Sequence, residues 1–138
     1  MPFENYKPSI AFVNLAASNV APQSFAAAAN VTGGWTKVTN NKWAKILSAI
    51  GAGTGTLALK VEQATDGSGT GVKDLMTAAA LGITAQATGT IVQVDFSIPD
   101  NIDLVNGFGY IRLNATMTGG SGTLVAASLE LGPASFEG

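Results

Sequence analysis

Apolar and polar residues alternate with a period of two through most of the middle and end of the chain. In TGTLALKVEQATDG, Leu57, Leu59 and Val61 interleave with Ala58, Lys60 and Glu62. That is the pattern of a strand with one face buried and the other turned to water. GTIVQVDFSIPD repeats it, setting Val92, Val94, Phe96 and Ile98 as the core face against Ile91, Gln93, Asp95 and Ser97. Pro99 then ends the strand, because proline has no N–H to give a ladder. PSIAFVNLAAS near the N-terminus reads as a further strand.

Near the C-terminus, Tyr110 to about Met117 and Leu124 to Leu131 flank the turn-like TGGSGT. Glycine there supplies the positive φ angles of a tight connection, so the pattern predicts an antiparallel hairpin of two long strands. Between Lys42 and Ala52, Trp43, Ile46, Leu47 and Ile50 fall at helical spacing, yet the flanking TNN and GAGTG and the β-rich surroundings favour a strand. Two stretches resist a single reading. SNVAPQSFAAAANVTGGWTKV combines an alanine run with proline and Gly-Gly and predicts one turn of helix or an extended segment. Asp74 to Ala80 could form a short helix across a sheet edge. About six to eight turn-separated strands predict an all-β fold, an antiparallel β-sandwich or jelly roll with at most one or two short helices.

The chain has 138 residues, enough for one domain that folds on its own core. No internal repeat or linker divides it, so residues 1–138 are expected to form a single β domain. Residues 1–8 and 132–138 read as extended arms, anchored by the aromatics Phe3, Tyr6 and Phe136. There is no basic segment followed by an apolar one at the N-terminus, and no run of about 20 apolar residues. A soluble protein made in the cytoplasm, with no membrane partner, is the expectation.

Composition narrows the chemistry. The chain contains neither cysteine nor histidine, which removes thiolate nucleophiles, histidine–zinc sites and Ser-His-Asp catalysis. Charged residues make up 12%, about half the roughly 25% usual in soluble domains. Seven basic residues spread along a chain of net charge −2 leave no electrostatic footprint for nucleic acid. A surface of small neutral groups suits a protein packed against copies of itself or a partner.

The most site-like stretch is ATDGSGTGVKDL. A phosphate loop needs lysine followed by serine or threonine, and here Lys73 precedes Asp74, whose charge repels phosphate. A calcium loop could draw on Asp66, Ser68, Thr70 and Asp74, but the closing glutamate of an EF-hand is missing. The plainer reading is a glycine-rich turn whose side chains bond their own backbone. Asp95, Asp100 and Asp103 are the carboxylates a glycosidase could pair, although two of them flank a proline turn that accounts for them. Trp35 and Trp43 could stack on sugars or anchor a core or interface. Arg112, the chain's single arginine, could pair with a carboxylate across a subunit contact or stand in solvent. No cofactor and no metal is predicted.

LALKVEQATDGSGTGVKDL and NGFGYIRLNATMTGGSG together resemble small virion structural proteins of tailed bacteriophages, of the head decoration or cement type. The shared features are a strand ending in a Gln-Ala-Thr-Asp turn with glycines and Lys-Asp, then a glycine-aromatic strand with an arginine and a Gly-Ser turn. The resemblance implies a β-sandwich or jelly-roll subunit, homotrimeric, seated on the outer capsid at local threefold positions. The major capsid protein would be its partner and the virion surface its location. Phe3, Tyr6, Trp35, Trp43, Arg112 and Phe136 are the candidate interface residues. A tail or head-fibre component, a carbohydrate-binding module built on Trp35 and Trp43, and a hydrolase are the alternatives.

Overall fold

The computed structural model describes residues 13–14, 20–25, 29–119 and 123–132. Phe3, Tyr6 and Phe136, the alanine run at 26–28 and most of both expected arms lie outside them. Two antiparallel sheets carry the fold. The first contains β1 (Val13–Asn14), β2 (Val20–Phe25), β5 (Trp43–Ile50), β9 (Ile91–Ser97) and β11 (Thr123–Leu131). Its order is β1-β11-β5-β9, with β2 also pairing β11. The second contains β3 (Ala29–Thr32), β4 (Thr36–Lys37), β6 (Thr56–Ala64), β7 (Lys73–Met76), β8 (Gln86–Ala87) and β10 (Tyr110–Thr118). Its order is β3-β10-β6-β7, with β4 also on β10 and β8 on β6. The protein is an all-β sandwich.

The alternation in the sequence sets which side chains meet between the sheets. Ala44, Ile46 and Ile50 of β5, Val125, Ala127, Leu129 and Leu131 of β11 and Phe96 of β9 line one inner face. Leu57, Leu59 and Val61 of β6 and Ile111, Leu113, Ala115 and Met117 of β10 line the other. All belong to one buried cluster, whose removal from water is the main force holding the sheets together. The segment Lys42 to Ala52 is a strand, as its surroundings predict, with every second residue inward. On β9 the Val92, Val94, Phe96 set is the inward one, and the strand stops just before Pro99.

Three expectations change. The predicted hairpin does not form: β10 pairs with β6, β3 and β4, while β11 pairs with β5, β2 and β1. Both strands have a buried alternate face, and the pattern says only that each face is covered. Facing one another across the core satisfies it as well as lying side by side. Glu62, expected in water, is 6% exposed for reasons given below. Lys73–Met76 is a strand, and the helix begins later, as α1 (Ala78–Leu81). The Thr77 hydroxyl accepts from the Ala80 N–H, and Gly82, with φ of 75°, ends it, an N-cap and a left-handed C-terminal glycine.

Among the described residues a buried polar contact crosses between the sheets. Ser48 points inward from β5 and its hydroxyl donates to Gln86 Oε1 at 2.7 Å. The Gln86 amide donates back to the Ser48 carbonyl at 3.0 Å and to the Thr90 carbonyl at 3.1 Å. Both residues are buried, so these bonds satisfy groups that water does not reach.

Candidate interaction surfaces

The outer face of the six-stranded sheet is a closed polar network. Antiparallel register places Arg112 of β10 opposite Glu62 of β6, and Glu62 opposite Asp74 of β7. Arg112 Nε donates to Glu62 Oε1 at 2.8 Å, and Asn114 Nδ2 donates to Glu62 Oε2 at 3.1 Å. Lys60 Nζ lies 3.4 Å from Glu62 and 2.9 Å from Asp74. Asn30 continues the row, donating to Asn114 Oδ1 at 2.6 Å and to the Thr116 hydroxyl at 2.8 Å. Glu62 is buried because its neighbours on three strands surround it and supply its hydrogen bonds, which offsets the loss of water. The hydrogen bond to Asp74 raises the pKa of Lys60, with partial burial pulling the other way.

Trp35 and the glycine loop cap this network. The Arg112 guanidinium sits 4.3 Å from the centre of the Trp35 ring, a cation–π stack. Gly69 presses on the same ring: a β-carbon there would lie 2.6 Å from Trp35 Nε1, and its φ of +84° is one side chains rarely adopt. The loop holds itself together. Asp66 Oδ1 accepts from the Ser68 and Thr70 N–H groups at 2.9 and 3.1 Å, and Oδ2 accepts from the Thr70 hydroxyl at 2.6 Å. The Thr70 hydroxyl, then the backbone donors, hold the Asp66 carboxyl below its ordinary range. Asp66 thus serves its own turn and Asp74 serves Lys60, so the two do not converge. Among the described residues no group of three carboxylates, histidines or cysteines could hold a metal ion.

The acidic trio is likewise dispersed. Asp95 lies on the outer face of the five-stranded sheet, in register with Lys45. Asp103 caps the short 3-10 turn Leu104–Asn106, accepting from the Asn106 N–H at 3.2 Å and its amide at 2.8 Å. Lys73 pairs with the same carboxylate and stacks on Phe108, 4.4 Å from the ring centre. Lys73 first, then Asn106, lowers the pKa of Asp103. Gln63, buried on β6, fastens this corner by accepting from the Asp103 N–H at 2.9 Å and donating to the Asp74 carbonyl at 3.1 Å.

The five-stranded sheet presents a different outer face. Trp43 is 55% exposed at one end of β5, and Leu47 and Ile91 are exposed at outward positions further along β5 and β9. Ala49 and Ala126 are register partners on the same side. Sequence reasoning singled out Trp43 and set Ile91 on the face away from the core, but did not name Leu47 or Ile91 as interface residues. The two tryptophans lie on opposite faces of the sandwich, Trp35 over the six-stranded sheet and Trp43 on the five-stranded one. They do not form one sugar platform. A further apolar tip, Leu104 and Val105, projects from the 3-10 turn.

No protein-family model matches the chain, and no curated protein matches it. Among solved structures it is similar to a chain in the structure of infectious bursal disease virus, Gx strain, with a TM-score of 0.52 and 13% identity. The same fold occurs in a virus structure. The likeness covers 89% of this chain and 31% of the other, so this chain spans under a third of its structural neighbour's length. At that identity what is shared is the sandwich architecture. Among the described residues no helix is long and apolar enough to cross a membrane.

Proposed function

We propose that the protein is a non-enzymatic virion structural subunit, a decoration or cement protein of a tailed bacteriophage head. It binds the outer surface of the major capsid protein as a homotrimer and stabilises the shell. The observation that carries the reading is the outer face of the five-stranded sheet, where the apolar side chains of Trp43, Leu47 and Ile91 stand exposed on either side of the Lys45–Asp95 register pair. The exposed apolar side chains of such a face gain by burial against another protein. The opposite face, whose charges are already paired internally, stays in solvent. Two further supports are the likeness of the sandwich to a chain of a virus structure and the resemblance of the Leu57–Leu75 and Asn106–Gly122 stretches to phage decoration proteins.

The test is to purify the particles of the encoding phage, measure the protein's copy number and map it by electron cryomicroscopy. The expected result is capsid-lattice stoichiometry with density in threes on the head. A few copies confined to the tail would replace the cement role with a tail or fibre role, and absence from the particle would overturn the proposal. Trp43→Ser with Ile91→Ser should weaken rebinding to particles stripped of the protein by at least tenfold, whereas Lys37→Ser, on the other sheet, should not.

A further inference from the structure

Edge strands expose unpaired N–H and C=O groups, and proteins blunt them with short strands, bulges, prolines or lysines. Most edges here are blunted. Among the described residues, β1, β4 and β8 are two residues long and β3 is four. The register of β7 breaks between Val61 and Glu62 of its partner, and that of β2 between Val125 and Ala127 of its partner. β9 differs. It runs seven residues, IVQVDFS, with no proline or lysine, in unbroken register along β5, and no described strand lies on its other side.

The hydrogen-bond phase shows which groups point outward. The Ile50 N–H donates to the Thr90 carbonyl and the Ile98 N–H to the Lys42 carbonyl, so the even-numbered residues of this strand face β5. Ile91, Gln93 and Asp95 therefore turn their backbone groups to the open edge. Their side chains are also the outward ones, Ile91 at 73% exposure, while Val92 and Val94 are half-buried at the rim of the core.

We propose that this edge pairs with the same edge of a second copy, antiparallel about a twofold axis at Gln93, joining two five-stranded sheets into one. In that register Gln93 meets Gln93 of the partner subunit and the two exchange backbone hydrogen bonds. Ile91 lies opposite the other copy's Asp95, whose register partner Lys45 stands one strand in. On the core side Val92 lies opposite Val94 of the other copy, so two half-buried apolar rims cover one another. No like charges face each other. Moving each strand by two residues, to an axis at Asp95, would set carboxylate against carboxylate, and Gln93 centring avoids this while keeping the strands in overlap. The contact concerns the edge of the fold and does not rest on the virion reading. It is a twofold contact, so beside a threefold association it would link one trimer to the next.

The chain has no cysteine, which makes single introduced thiols decisive. Residues opposed in a hydrogen-bonded antiparallel pair have Cα atoms about 5.5 Å apart, within disulfide range. Gln93→Cys, oxidised with diamide, should give a disulfide-linked dimer on a non-reducing denaturing gel. Ile91→Cys alone should not, because its own counterpart lies about 13 Å away along the strand, but mixing Ile91→Cys with Asp95→Cys should. Sedimentation checks the uncrosslinked chain: the mass-average should rise with concentration, and halve in Gln93→Pro and in Ile91→Asp, which sets a carboxylate against the other copy's Asp95. The proline removes an N–H that β5 does not use, and circular dichroism reports whether the sandwich is retained. No dimer at position 93, equal crosslinking at 91 and 93, or a mass that neither variant changes would each overturn the proposal.

Discussion

Single residues do the work that composition made hard to see. Gly69 is needed both for its left-handed backbone and for the space Trp35 occupies. Gly69→Ala should cost about 1–3 kcal/mol, read as a lowered urea midpoint at unchanged slope. Glu62 holds three donors in a buried position. Glu62→Ala strands Arg112 and Asn114 and should destabilise by about 2–4 kcal/mol, since breaking a buried pair leaves an uncompensated charge. Lys60→Ala, at the solvent edge of the same network, should change stability by less than about 1 kcal/mol. The comparison of the two by denaturant unfolding tells whether Glu62 is the hub. Arg112 was legible as a carboxylate partner. That its carboxylate belongs to the same chain was not, because Glu62 lies 50 positions away and only the β6–β10 register brings them together.

At the scale of elements, alternation was enough to recognise β5, β6, β9, β10 and β11, and it separated buried from outward residues on β5 where helical spacing offered a rival. Strand geometry puts Ile46 and Leu47 on opposite faces, whereas a helix would bury both. Ile46→Ala should cost about 2–5 kcal/mol, and Leu47→Ala under about 1 kcal/mol, in thermal or denaturant unfolding. Equal costs would contradict the strand. The hairpin expected of β10 and β11 failed for a physical reason: Gly-Ser-rich connections permit a tight turn but do not require one, and a long strand gains as much by packing across a core as by pairing beside its neighbour. Glu62 misled for a related reason, since an outward position on a central strand is covered when long side chains from both adjacent strands close over it.

For the whole molecule, the sheets are held by apolar burial and pinned at one side by the Ser48–Gln86 bonds. Ser48→Ala would leave Gln86 Oε1 without its donor in a buried site, and a loss of about 1–2 kcal/mol is expected from the unfolding midpoint. The charge pattern fixes the pH response. Asp66 and Asp103 have folded pKa values below their ordinary 3.8, so their stabilising contribution is present above that value and fades as pH falls through the lower folded ones. Lys60 is raised above its ordinary 10.5, so its contribution is present below that value and is lost as pH rises through the higher folded one. With no histidine, the melting temperature should be nearly flat from about pH 5.5 to 9 and fall outside it. A calorimetric midpoint dropping steeply within that range would contradict this.

The sequence by itself determined that the chain is all-β, which alternate residues are apolar enough to form its core, and that neither cysteine nor histidine chemistry is open to it. Those are local properties: a period of two and a residue inventory need no knowledge of neighbours. Only the tertiary structure decided which strands share a sheet, that the Asp66 turn is closed on itself and clamped over Trp35, and that Arg112 and Glu62 meet inside one chain. It also decided that Trp43, Leu47 and Ile91 share one outer face beside an unblunted edge. Each depends on pairing between residues distant in the chain, and many pairings satisfy the same alternation equally well.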